Sequence, residues 1–247
     1  MFQPASLKGD SPSPIDEGIR NKYLFLYLII VFLSFYPCII FEYVYFILLW
    51  KKGFYLIFFL LVPLNILILL HVLQLSAVLF SFLFLTIIKL LFLPKEGVFD
   101  RDLKDKNYFF WNLRNIAKKW PLFINGSNPF PWLKNRFTLR FFGVKIGKYG
   151  IIDNSWISSE FVSIGKNVIL GMGSTLLSFG IEQDKFFLKR IIIEDNALIG
   201  AKCIIMPGTH MEQNSKLSAH SYTKIDDVLI ENSINIGHPA KMKNNRE

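Results

Sequence analysis

The chain has 247 residues, 52% hydrophobic and 16% aromatic, yet lysine and arginine (28) outnumber aspartate and glutamate (19), for a formal charge of +9. Cys38 and Cys203 are its only cysteines and lie far apart, which excludes a disulfide framework and matches no zinc-ligand spacing. Residues 23–94 hold almost no charge and residues 95–247 hold most of it, so apolar and charged surfaces are segregated along the chain.

Residues 1–22 are polar, with Pro4, Gly9, Pro12, Pro14 and Gly18, and read as a disordered, mobile tail. Residues 23–50 are long enough to cross a bilayer, which takes about 20 apolar residues. Lys51 and Lys52 end that run. Residues 54–94 form a second apolar run. It reads either as one long helix kinked at Pro63 or as two tight spans separated near His71 and Gln74. Two transmembrane helices over 23–94 are favoured, with three as the alternative. Lys95, Arg101, Lys104 and Lys106 outweigh Arg20 and Lys22, so the positive-inside rule places residues 95–247 in the cytoplasm. Glu42 and His71 interrupt the apolar runs. A carboxylate at the centre of a membrane helix costs about 2.5–3.5 kcal/mol, and Glu42 is read as snorkelling to the interface, with His71 structural.

Residues 95–143 alternate aromatic and basic side chains around Trp111, Trp120 and Trp132. Rings with cationic neighbours suit the headgroup layer, so this stretch reads as an interfacial linker on lipid, with nucleic acid the weaker alternative.

From Val144 a different period begins. Positions 146, 152, 158, 164, 170 and 176 are Ile, Ile, Ser, Ile, Leu and Leu. The series resumes at 193, 199, 205, 211 and 217 as Ile, Ile, Ile, Met and Leu. Neither a helix nor a flat strand needs a six-residue repeat. A triangular solenoid does: six residues make one side, eighteen make one coil, and each large aliphatic residue points to the axis. Gly147, Gly165, Gly171 and Gly200 follow these positions and are read as tight turns. Between the two series, residues 178–190 leave the solenoid as a loop insertion, where a functional segment belongs.

The repeat resembles the left-handed parallel β-helix of hexapeptide-repeat acyltransferases, over residues 144 to about 226. "INIGHPAKM", residues 234–242, resembles the segment that follows the last coil in CoA-dependent members, with His238 where they carry asparagine. An apolar pair, a Trp/Phe-rich linker and "LRFFGVKIGKYGIID" together resemble the membrane-attached C-terminal acyltransferase-like modules of polylysine-synthetase-type enzymes. The fold expected is therefore an α + β membrane protein, with N-terminal transmembrane helices followed by a left-handed β-helix over residues 144–240.

The resemblance implies a homotrimer with acyl-CoA, acetyl-CoA above all, in the groove between subunits. A histidine would take the proton of an acceptor hydroxyl or amine. In the relatives the insertion begins with a Thr-His pair, and that histidine is the base. Here the matching positions are Ser178 and Phe179, so other groups must serve. His210, then His220, then Glu182 are the candidate bases. Lys185, Lys189, Arg190 and Lys202 are candidates for the CoA phosphates, and Gly237, His238, Pro239, Ala240 and Lys241 for the tail that lines the donor site. His210, His220 and His238 lack the close pairing of a zinc site, and no metal is expected. No nucleic acid is expected as partner. The acceptor implied is lipid-linked or envelope-associated. The alternatives are an inactive trimeric scaffold or partner subunit, favoured by Phe179, and a peptide-condensing module dependent on other proteins.

Overall fold

The computed structural model describes residues 21–102, 104–126, 137–152, 154–182 and 184–243. The tail over 1–20 and Trp132 lie outside this set. The chain divides into two units: a helical one, residues 16–93 and 112–128, and a β-helical one, chiefly residues 94–111 and 129–247.

In the helical unit, α1 (Asn21–Tyr45) continues into a π-helical turn, Phe46–Trp50. After a short turn, α2 (Tyr55–Leu91) follows. Both are long and apolar enough to cross a membrane. α2 is continuous through His71 and Gln74, so the second apolar run is one helix. Most of the apolar side chains are exposed, among them Phe32, Leu56 and Leu60. Buried polar groups cluster in the other half of α2, at Gln74, Ser76 and Ser81. Glu42 has a partner: Asn65 Nδ2 donates to its Oε1 at 2.8 Å.

Part of the linker forms regular structure. Gly97–Asp100 is a strand and α3 spans Lys106–Gly126. Trp111 does not face lipid. It is buried in the β-helical unit, 4.5 Å from the Phe186 ring and 4.9 Å from that of Phe179.

Residues 145–237 wind as a parallel β-helix with three faces. The first face stacks Ile146, Ile164, Ile193, Met211 and Leu229 in register. The second stacks Ile152, Leu170, Ile199 and Leu217, and ends on Asn235. The third stacks Ile157, Leu176 and Ile205. Partners lie 18 residues apart from Ile146 to Ile164, but 29 apart from Ile164 to Ile193, where the insertion is accommodated. Full burial of each such side chain contributes about 1.5–3 kcal/mol, which makes these stacks the main cohesion of the unit. Just before the first coil comes the short helix α4 (Leu139–Phe142), with Leu139 and Phe142 buried.

The repeat slips once. Ile157, not Ser158, occupies the axis on the third face, and Trp156 points outward. Ser158 is buried but polar, its Oγ accepting from the Ser178 amide at 3.1 Å. The one non-aliphatic position of the series is thus a register shift, not a gap in the core.

The corners also differ from expectation. Gly147, Gly165, Gly171 and Gly200 are not left-handed turns. A Cβ on any of them would come within 2.5 Å of atoms of the neighbouring coil, so they permit close coil-to-coil approach. The left-handed positions are held by other residues in vertical columns: Tyr149, Asn167, Asn196, Asn214 and Asn232 at one corner, Gly173, Lys202 and His220 at another. Asparagine tolerates this conformation because its short amide bonds locally. Here the amides bond each other, Asn167 to Asn196 at 2.9 Å and Asn214 to Asn232 at 3.1 Å. Tyr149 departs from the column and is well exposed. Tyr149→Asn should therefore raise stability by about 0.5–1 kcal/mol, read from urea unfolding; a decrease would show that the phenol ring packs usefully.

The insertion is a β-hairpin, Phe179–Glu182 and Lys185–Leu188, extended to three antiparallel strands by Gly97–Asp100. Tyr108, Trp111, Phe186 and Leu188 form a buried cluster beneath it, with Phe99, Phe161 and Phe179 packed around.

Candidate active site

The first face positions the best-placed base. His210 begins a strand in register with Ile192 below and Val228 above, so its side chain projects outward beside theirs. Strand residues alternate sides, which puts Glu194, two residues beyond Ile192, on the same outer surface. Its Oε1 lies 2.8 Å from His210 Nε2. A carboxylate only accepts hydrogen bonds, so the ring nitrogen facing it carries hydrogen. Nδ1 is then the basic nitrogen, free in tautomer to accept a proton. Glu194 fixes the ring and stabilises the imidazolium that would form. Both side chains remain over a third exposed, so a substrate can reach them.

Glu194 is absent from the sequence-based candidates. The signal for it exists once the coil register is known: residue 192 under 210 places 194 diagonally beside the histidine.

The other candidates fall elsewhere. His220 is a corner residue in left-handed conformation, its amide bonded to the Ala201 carbonyl at 2.9 Å. Its position in the column is explained by the turn. Glu182 is exposed near the tip of the hairpin, opposite Lys185. His238 is exposed in the tail, its ring 5.7 Å from that of Tyr222. Among the described residues, none of these groups hydrogen-bonds His210. Gly237 and Ala240 pair across the closing hairpin of the tail, and Ala240 and Lys241 help line a crevice of about 270 Å³ with Asp227 and Asn235. Pro239 lies in the turn between Gly237 and Ala240.

Three of the four cations proposed for phosphate already have carboxylate partners. Lys185 pairs with Asp100 at 2.6 Å, and that carboxylate holds the ammonium pKa above its ordinary value. Lys189 pairs with Asp226, and Arg190 with Glu96 at 2.8 Å. These pairs tie the hairpin and the strand Gly97–Asp100 to the coils, with the Arg101 amide donating to Asp184 O at 2.7 Å. Lys202 and Lys241 have no ion pair among the described residues. Cys203 is fully buried, and burial pushes its thiol pKa up, which removes it as a nucleophile. Among the described residues, no three His, Cys, Asp or Glu side chains gather as a metal site.

Phe179, where the family resemblance implies a histidine, is built into the aromatic packing, 4.9 Å from Trp111 and 6.1 Å from Trp156.

Residues 190–222, which include Glu194 and His210, match the family model described as the hexapeptide repeat of succinyl-transferase. The β-helix is of the hexapeptide-repeat type. The Bacillus subtilis (strain 168) protein YvoF, a candidate acetyltransferase by name, is 27% identical to this hexapeptide-repeat chain over 95 residues. That match covers 37% of this chain and 55% of YvoF, so the chain spans about half the length of this relative. Among solved structures, a hexapeptide-repeat-containing acetyltransferase from Vibrio cholerae O1 biovar eltor, complexed with acetyl coenzyme A, gives a TM-score of 0.45 at 16% identity, covering 57% of this chain and 90% of that one. A maltose O-acetyltransferase from Clostridium difficile 630 gives 0.43 at 18% identity, covering 51% of this chain and 82% of that one.

Proposed function

We propose that this hexapeptide-repeat protein is a membrane-anchored acyltransferase. It moves an acyl group, acetyl foremost, from acyl-CoA to a hydroxyl or amine of a lipid-linked or envelope acceptor. The observation that carries this is the His210–Glu194 pair on the outer face of the coils. In the step, His210 Nδ1 takes the acceptor proton as the acceptor oxygen or nitrogen attacks the thioester carbonyl. The new acyl bond forms, the C–S bond breaks, and the proton passes to the CoA thiolate. Lys202 and Lys241 are the cations left to meet the CoA phosphates.

Two helices with mostly exposed apolar surfaces support membrane anchorage, since an aqueous protein rarely exposes so much contiguous hydrocarbon. Lys95, Arg101, Lys104 and Lys106 after α2 support a cytoplasmic β-helix. A homotrimer and a likeness to polylysine-synthetase-type modules belong to the same reading, the latter supported by the order of apolar helix pair, aromatic linker and β-helix.

The test is transfer of radiolabel from acetyl-CoA to a membrane extract by the purified full-length protein, with the labelled product identified. Within it, Glu194→Gln should lower kcat roughly ten- to hundredfold with KM little changed, because the imidazolium loses a charged hydrogen-bond partner. A second reading, an inactive scaffold, is favoured by Phe179 in the aromatic packing. It would stand if the protein bound no acyl-CoA and transferred no label.

A further inference from the structure

The coils end unevenly. On the second face the last strand, Ile234–Gly237, is covered by Ala240–Met242 running antiparallel, and Lys243 N closes that ladder on Ile234 O at 2.7 Å. On the first face Val228–Leu229 is the terminal strand of its sheet, and no described strand covers it. The bonding rule of that face shows what is left over. Ile192 and Glu194 donate their amides to Thr209 O and Met211 O, and His210 and Glu212 donate theirs to Asp227 O and Leu229 O. Val228 and Ile230 come next in the series, and among the described residues their amides meet no carbonyl. An open strand edge of this kind is a template for another extended chain.

The edge borders the crevice of about 270 Å³, whose walls include Asp227, Val228, Ile230, Asn235, Lys241 and Met242. Asn235 is a second sign of a ligand. It holds the axis position that Ile152, Leu170, Ile199 and Leu217 hold on the coils before it, and it is 6% exposed. A carboxamide thus replaces an aliphatic side chain where the crevice opens. Its Nδ2 donates to Ser233 Oγ at 2.8 Å and to Lys216 O at 3.4 Å. Its Oδ1 accepts nothing among the described residues, yet is not sealed from solvent. Asp227 adds a carboxylate whose Oδ2 takes the Lys224 amide at 3.1 Å, while Oδ1 accepts nothing among the described residues. From Val228 to Ile230 is two residues, about 7 Å, the reach of a di- or tripeptide and not of a whole further coil. An extended backbone answers this pattern, with carbonyls at the two-residue spacing of the amides and N–H groups between them. A peptide running in the sense of the coils starts beside Asp227, where a free amino terminus finds a carboxylate.

We propose that this crevice is a binding site for a short extended peptide with a free amino terminus, added to the edge at Val228–Ile230 where a further coil would lie. Its carbonyls accept from the Val228 and Ile230 amides, its N–H groups donate to Val228 O and Asn235 Oδ1, and its ammonium meets Asp227. The site needs only the last coil and the tail, so it stands apart from the acyl-transfer reading, although Val228 is the register neighbour of His210.

The experiment uses the full chain in detergent micelles with three probes: tri-alanine amide, its N-acetyl form, and an analogue methylated on the central peptide nitrogen. Calorimetry gives Kd, and hydrogen–deuterium exchange locates the bound peptide. At ten times its Kd, tri-alanine amide should slow exchange of the Val228 and Ile230 amides roughly tenfold, by mass action. Methylation should weaken binding at least two- to tenfold, the ratio for one net hydrogen bond, and acetylation tenfold or more, because it removes a charged one. In Asp227→Asn the free and acetylated forms should bind alike. Asn235→Leu continues the aliphatic ladder, so it should unfold in urea no earlier than the parent yet bind tri-alanine amide two- to tenfold more weakly. No binding up to millimolar peptide, equal binding of the methylated analogue, protection confined to residues outside 227–242, or undiminished binding by Asn235→Leu would overturn the site. Protection of Val228 and Ile230 that rises with protein concentration in the absence of peptide would give the edge to a second copy and overturn it too.

Discussion

Replacing His210 with alanine is expected to lower acyl transfer by roughly 10²- to 10⁴-fold, the range that a positioned general base contributes. The variant should fold, because the imidazole lies on the outer surface and its strand is held by Met211, which is fully buried in the axis. The loss should fall mainly on kcat, with donor binding retained. His220→Ala and His238→Ala are the controls. The first changes a corner residue and the second a tail residue, and each should stay within a few-fold of the parent protein. A large loss in either control with an active His210→Ala variant would remove the pair from the chemistry.

The second large effect concerns the coils. Gly171→Val should destabilise the β-helical unit by about 3 kcal/mol or more. A Cβ at this position would sit 2.5 Å from Ala201 N and 2.6 Å from Gly200 C, both backbone atoms that cannot swing away. Its φ is not in the left-handed region, so the loss would come from contact and not from torsional strain. Relief would require lifting one coil off the next, which breaks the bonds that flank the site, including Gly171 N to Ile199 O at 2.8 Å. Urea unfolding followed by far-ultraviolet circular dichroism measures it. An unchanged midpoint would show that neighbouring coils can part without cost.

The solenoid was legible because one chemical rule, a large aliphatic residue at every sixth place, repeats often enough to fix a register. Local rules of that kind survive in sequence. The slip at Ile157 was hidden because Ser158 keeps the count while its neighbour does the packing. The glycines were visible, but their reason was not: the obstacle is the coil beyond, a neighbour 18 or 29 residues away in sequence. Glu194 was missed for the same cause, since its link to His210 exists only across coils. The strand Gly97–Asp100 lies some 90 residues from the hairpin it joins, and nothing in its own pattern announces that partner. Phe179 shows the converse. Its departure from the pattern of the family the sequence resembles was readable at once, whereas its use against Trp111 and Trp156 required the fold.

Glu194 and His210 belong to successive turns of the winding. Neither turn alone contains the pair, so a nascent chain emerging from the ribosome has no proton acceptor of this kind until the later storey has settled on the earlier one. On the proposed function, acyl transfer is therefore a property of completed assembly, and a polypeptide cut anywhere before residue 210 would keep the apolar helices and the first storeys yet lack the pair.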